Sequence, residues 1–240
     1  MISEEKFNKW FNVFVLGGMS VCVVLSCIFK IQEPGSRTAL LILTAVGALM
    51  GVAGTVLSAN GNILTFLFGF LDVAIYSVIL FDSKMPTQFI LHVGYMLPMN
   101  VIGFFQWRKK GASGKQKVKA QRLHGKKWLW YSLLFAGVFA VCFLVSSLML
   151  QKAGEAQNTS KMVLDALVTT ANIVALVMMT FAYMEQWYLW MTVNVASVVL
   201  WTVTLVTSPE AGYAVIPLVK YTFYTVNAVN GIRIWLKLSR

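Results

Sequence analysis

Apolar residues run along this chain in stretches of bilayer length, not in the one-sided spacing of a half-buried helix. Eight such runs lie at about 10–29, 39–59, 63–81, 88–107, 128–150, 162–184, 187–206 and 213–236. Crossing the hydrocarbon core takes about 20 apolar residues in a helix, so each run predicts one membrane-spanning helix. Trp10, Trp107, Trp128, Trp130, Trp187 and Trp235 stand at the ends of the runs, where an amphipathic ring suits the headgroup level. The first run, Trp10 to Phe29, is too long for the apolar stretch of a signal peptide and has no small-residue cleavage site, so it too reads as a span. The expected fold is an all-α integral membrane protein of about eight transmembrane helices.

Composition agrees with that pattern. Of the 240 residues 58% are hydrophobic and only 12% charged, about half the charge of a soluble domain. The net charge of +11 gains meaning from its distribution. Arg108, Lys109, Lys110, Lys115, Lys117, Lys119, Arg122, Lys126 and Lys127 fall in one connector that holds no acid. By the positive-inside rule this is a cytoplasmic loop. Eight spans then put both termini inside, adding Lys6, Lys9, Lys237 and Arg240 to that face. Membrane lipid with anionic headgroups is an expected partner of the loop. Nucleic acid is not, because no aromatics are interleaved with the charges. Cys22, Cys27 and Cys142 all lie inside apolar runs and give neither a disulfide framework nor a metal spacing. No cofactor motif is present.

The chain also repeats itself weakly. Leu71-Asp72-Val73-Ala74 lines up with Val193-Asn194-Val195-Ala196, and Gly103-x-x-x-Trp107 with Gly231-x-x-x-Trp235. Two three-helix units in one orientation, joined by a linker helix, are the parallel-repeat plan of some small transporters. The expected division is an N-terminal extra helix at 1–36, a first three-helix bundle at 37–107, the basic loop at 108–127, a linker helix and loop at 128–160, and a second bundle at 161–240.

Amide and ionisable side chains cost a few kcal/mol in hydrocarbon unless they find a partner or a cavity, so their alignment is informative. At about 100° per residue, Thr65, Gly69, Asp72 and Tyr76 share a face of the third span. Asp165, Thr169, Asn172 and Tyr183 share one on the sixth, and Trp187, Trp190, Asn194, Ser197 and Trp201 one on the seventh. Tyr213, Pro217, Lys220, Tyr224, Asn227 and Gly231 align on the eighth. Gln88, His92, Tyr95 and Gln106 form a stripe on the fourth, from which Asn100 is displaced unless Pro98 kinks the helix. Thr44, Gly47, Gly51, Thr55 and Ser58 form a small-residue face on the second span, which reads as a packing surface. The aligned set is rich in aromatic faces and neutral amides, with no nucleophile triad, HExxH, P-loop or dinucleotide fingerprint. It predicts a pocket for a flat, polar small molecule and not an enzyme.

These residues resemble the PnuC family of vitamin-precursor transporters, whose best-known members carry nicotinamide riboside. The resemblance rests on Trp187-x-x-Trp190-x-x-x-Asn194 in the second half. In the first half it rests on the stretch from Gly69 through Asp72, Tyr76 and Gln88 to Gly103-x-x-x-Trp107-Arg108. Asp165, Thr169 and Thr170 resemble a further family stretch. The match covers about residues 39–240. It implies a three-plus-one-plus-three core like that of SWEET sugar transporters, in the inner membrane, and a homo-oligomer of three copies. It also implies facilitated diffusion of nicotinamide riboside by alternating access, with phosphorylation in the cytoplasm trapping the substrate. Trp187 and Trp190 are then the walls that hold the ring or ribose, Asn194 a hydrogen-bonding partner, and Gln88 a polar position for the carboxamide or a ribose hydroxyl. Asp72 and Tyr76 belong to the same motif, while Asn100, Tyr224 and Asn227 join the candidate site from helical geometry. Thiamine and riboflavin are alternative flat substrates. More distant readings are a retinal-type photoreceptor using Lys220 with Asp72 as counterion, and an intramembrane enzyme using Asp72, Asp165 and His92.

Overall fold

The computed structural model describes residues 3–32, 37–82, 86–152, 159–207 and 215–240. Tyr213 lies outside them, as do the side chains of Asp165 and Pro217. Each predicted span corresponds to one helix: α1 (Glu4–Ile31), α2 (Thr38–Ala59), α3 (Thr65–Asp82), α4, α5 (Lys126–Lys152), α6 (Thr159–Thr180), α7 (Gln186–Thr207) and α8 (Val215–Leu238). Helix α4 is continuous but irregular, running as Pro86–Leu91, a π-helical turn His92–Met96, and Leu97–Lys109. The wide turn falls just before Pro98, whose ring has no N–H and presses on the preceding turn. Seven of the helices are long and apolar enough to cross a membrane. Helix α8 has the length, at 24 residues, but Lys220, Asn227, Asn230 and Arg233 lower its mean hydropathy.

Neighbouring helices divide into two groups. Helix α2 packs on α3 and α3 on α4, while α6 packs on α7 and α7 on α8. The groups meet where α2 touches α8 and α4 touches α6. Exchanging α2, α3 and α4 for α6, α7 and α8 reproduces the same set of neighbours. Helix α1 lies against α2 and α8, and α5 against α6.

Detailed contacts follow the same exchange. The Trp107 indole donates to the Met179 carbonyl at 2.8 Å, and the Trp235 indole donates to the Ser58 carbonyl at 3.0 Å. The Phe66 ring fills the space over Gly103, and the Trp187 ring fills that over Gly231, where a Cβ would lie 2.6 Å from Cζ3. The α2–α3 turn contains Gly61 at φ +67°, and the α6–α7 turn contains Ala182 at φ +58°. Ser58 and Met179 are 121 positions apart, and the pairs Gly61/Ala182 and Phe66/Trp187 share that spacing. Carried along the helices, this register pairs Asp72 with Val193 and Val73 with Asn194. The string match of Asp72 with Asn194 is therefore one residue out, because short apolar strings align almost as well in either frame.

The basic connector between α4 and α5 is strapped across both turns. The Val118 amide donates to the Gly61 carbonyl at 3.0 Å, and the Gln121 amide to the Ala182 carbonyl at 2.9 Å. The Met184 amide returns a bond to the Gln121 carbonyl at 2.9 Å, and the Leu123 amide reaches Glu185 Oε1 at 3.0 Å. The Lys110 ammonium donates to the Phe181 carbonyl at 2.5 Å. Burial, then the like charge of Lys127, pushes the Lys110 pKa below its ordinary value.

Candidate functional site

A cavity of about 260 Å³ opens between the two groups of helices. Helix α7 furnishes the largest share, because residues spaced by three and four lie on one face: Trp187, Trp190, Val193, Asn194 and Ser197 all line it. Helix α6 adds Val168, Asn172 and Met179, and α8 adds Tyr221 and Tyr224. The first group contributes small residues, Gly54, Thr55 and Ser58 from α2 and Thr65 from α3. No charged side chain is among these lining residues.

An aromatic cluster backs one end of the cavity. Trp187 and Trp235 stand 6.2 Å apart between ring centroids, Trp107 and Trp235 5.5 Å, and Phe66 meets Trp107 edge-on at 4.9 Å. With Ala59, Ile63, Met179, Met184, Ala228 and Ile234 these rings form the main buried core. The site is thus built on the largest buried apolar cluster among the described residues, at the end where the α2–α3 and α6–α7 turns lie.

Hydrogen-bonding capacity is left open inside. Trp187 is 3% exposed, yet its Nε1–H finds no acceptor among the described residues. Asn194 is 7% exposed and its amide makes no side-chain hydrogen bond among the described residues. A buried donor or acceptor left unpaired costs about 1–3 kcal/mol, so these groups suit a bound polar ligand. The hydroxyls point the other way in chemistry. Thr55 donates to the Gly51 carbonyl at 2.9 Å, Thr65 to the Gly54 carbonyl at 2.9 Å and Ser197 to the Val193 carbonyl at 2.8 Å. With their protons engaged, they offer lone pairs to donors on a ligand. Asn172 donates one N–H to the Val168 carbonyl at 2.8 Å, leaving its amide oxygen and second N–H. The cavity therefore combines four aromatic rings with both donors and acceptors, which fits a flat ring bearing an amide and hydroxyls.

Of the residues expected from sequence, Trp187, Trp190, Asn194 and Tyr224 come together on this cavity. Asn227 is fully buried beside it but reaches across to α2, donating to the Thr55 carbonyl at 3.2 Å. Asn100 donates to the Met96 carbonyl at 2.9 Å and its amide oxygen lies against Gly69 of α3, so it joins helices and does not line the cavity. Asp72, Tyr76 and Gln88, on α3 and α4, are not among the residues that line the cavity. The Asp72 carboxylate lies against Gly51 of α2. The Tyr76 ring meets His92 at 5.0 Å, and His92 Nδ1 lies 2.8 Å from the Gln88 carbonyl. Tyr221, Thr55 and Ser58 were not expected. The two hydroxyls could have been found as the polar end of the α2 small-residue face, but Tyr221 sits outside the stripe that singles out Tyr224.

Known proteins resemble this chain along most of its length. Residues 41–237 match the family model described as nicotinamide mononucleotide transporter, which leaves α1 ahead of the match. The nicotinamide riboside transporter PnuC of Neisseria mucosa is 32% identical over 202 residues, covering 82% of this chain and 73% of that protein. PnuC of Haemophilus influenzae is 25% identical over 239 residues, 99% of this chain and 96% of that one. PnuC of Escherichia coli is 26% identical over 213 residues. Among solved structures, that of the vitamin B3 transporter PnuC superposes with a TM-score of 0.65 at 28% identity, covering 99% of this chain and 93% of its own.

Proposed function

This chain belongs to the nicotinamide mononucleotide transporter family, a family of multi-pass membrane transporters and not of enzymes, and we propose that its substrate is nicotinamide riboside. One observation carries this reading: an uncharged cavity walled by Trp187, Trp190, Tyr221 and Tyr224 holds a buried indole N–H with no acceptor among the described residues, and the Asn194 amide beside it. The rings take the pyridinium by stacking and cation–π attraction, worth about 0.5–2 kcal/mol each. Asn194 and the Trp187 N–H meet the carboxamide or a ribose oxygen, and the Thr55, Thr65 and Ser197 oxygens accept from ribose hydroxyls. Asp72, Tyr76 and Gln88 belong to the approach to the site, while Asn100 and Asn227 fix the helices around it.

Transport is by facilitated diffusion, with the bundle at 37–107 rocking against that at 161–240 about the site and phosphorylation in the cytoplasm retaining the product. The exchange of neighbours between α2–α4 and α6–α8 supports two parallel repeats, with α5 as the linker in 128–160 and α1 as the extra helix in 1–36. Nine basic residues over 108–127, in the α4–α5 connector and the helix ends that flank it, support an inner-membrane orientation with both termini cytoplasmic. The assembly is a homotrimer embedded in lipid.

Calorimetry on the purified protein tests the substrate. Nicotinamide riboside should release binding heat that thiamine and riboflavin do not. Heat from either vitamin with none from the riboside would overturn the assignment.

A further inference from the structure

Behind the tyrosine wall of the cavity stands a charge that does not line it. The Lys220 ammonium lies 5.4 Å from the Tyr224 ring centroid and 5.9 Å from that of Tyr221. Both rings belong to the cavity, whereas Lys220 borders a second, apolar cleft of about 360 Å³ between α1, α2 and α8. Facing it from α3 is Asp72, which is half-buried. Its carboxylate sits where α2 has glycines: a Cβ on Gly51 would lie 2.7 Å from Oδ2, and one on Gly47 would lie 3.7 Å from Oδ1. Lys220 borders its cleft beside Ala48 and Val52, neighbours of Gly47 and Gly51 on α2, so the two charges approach the same stretch of that helix, with no direct ion pair between them among the described residues. The two charges come from different helix groups, and the carboxylate comes close to α2 because Gly47 and Gly51 leave room for it.

Their position matters for a cationic ligand. An aromatic ring attracts a cation through the negative potential of its faces. When an ammonium already occupies one face, the opposite face attracts a second cation less. The same ammonium also repels a cation in the cavity directly, and this repulsion is little screened in a water-poor interior. A nearby carboxylate cancels most of that field. We propose that Asp72 and Lys220 form a charge couple behind Tyr221 and Tyr224 that sets the site's preference between a cationic and a neutral ring. The couple is a specificity determinant that acts through the tyrosines and does not touch the ligand.

The inference rests on the riboside being the substrate, and its test separates the two. The ligands are nicotinamide riboside and a neutral isostere, a benzamide ring joined through carbon to the same ribose. Calorimetry on the full-length protein compares wild type, Asp72→Asn, Lys220→Met and the double variant. Asp72→Asn should weaken the cationic ligand by about fivefold or more and change the neutral one by less than about twofold. Lys220→Met added to Asp72→Asn should restore the wild-type ratio of the two affinities. Alone, Lys220→Met should raise the ratio in favour of the cation. Equal weakening of both ligands in Asp72→Asn would make Asp72 a packing residue and overturn the couple, as would a double variant that restores nothing. If Asp72→Asn does not fold, Lys220→Met alone decides, and an unmoved or lowered ratio counts against the inference. A wild-type protein that binds no riboside removes the substrate assignment and the couple together, whereas riboside binding with an unmoved ratio removes the couple only.

Discussion

In α2–α4, Phe66 covers Gly103 and the Trp107 indole bonds to a carbonyl of the other helix group. In α6–α8, Trp187 covers Gly231 and Trp235 returns the same bond. The turns match as well, with Gly61 and Ala182 in the left-handed region and each carbonyl accepting from the basic strap. The cavity is matched only at Ser58 and Met179, which share the 121-position register and both line it. The second group supplies every ring and both amides, and the first supplies two glycine-sized or hydroxyl-bearing stretches around Gly54, Thr55, Ser58 and Thr65. Parts that exchange between the groups hold the molecule together, and parts that do not exchange carry the ligand chemistry. Trp187 belongs to both, since its ring edge packs on Gly231 while its N–H has no acceptor among the described residues.

The most severe way to break that correspondence is to remove the exchanged tryptophans. Trp107 and Trp235 are both fully buried, and each donates one interhelical hydrogen bond. Truncating a buried Trp to Ala costs about 3–5 kcal/mol. Trp107→Ala and Trp235→Ala should therefore each lower stability by about that much and by nearly equal amounts, as read from unfolding of the detergent-solubilised protein. A large loss for one and little for the other would mean that the two contacts only look alike.

The unmatched side of the comparison is sharpened by Asn194 and its register counterpart Val73. Asn194→Ala should cost about 1–3 kcal/mol of riboside affinity, the penalty for leaving a ligand group unpaired. Its unfolding should shift by no more than about 0.5 kcal/mol, since the amide makes no hydrogen bond among the described residues. Val73→Ala should leave affinity unchanged. Loss of affinity in both variants would show that α3 reads the ligand at Val73 as well as at Thr65.

How far these features were legible differs by feature. Eight helices followed from run length alone, because lipid leaves the backbone no alternative to helix. The Trp187, Trp190 and Asn194 face followed from helical spacing on a regular helix. Asn100 did not, since the π-helical turn before Pro98 re-phases α4 and directs that amide against Gly69. Thr55 and Ser58 read as packing because hydroxyls on a glycine-rich face are ordinary interhelical contacts. Here they both pack and line the cavity. The strap from 118 to 123 was invisible, as its bonds go to two turns distant in sequence and depend on carbonyls and not on side-chain type.

The finest test sits in the two turns. Gly61→Ala places a side chain in the left-handed region, which costs about 1–2 kcal/mol and is partly offset by the smaller entropy of the unfolded chain. Its new Cβ would also lie 2.9 Å from Leu238 Cδ1, so the net loss should be about 1 kcal/mol. The reverse change, Ala182→Gly, should not give the mirror-image gain. It relieves the strained φ, but it frees the unfolded chain and empties the space of a fully buried methyl, worth about 0.8 kcal/mol. These terms nearly cancel, so stability should move by no more than about 0.5 kcal/mol in either direction. A loss above about 1 kcal/mol for Ala182→Gly would mean that the methyl packs too well for strain to matter. The two turns would then share a backbone shape but hold it by different means.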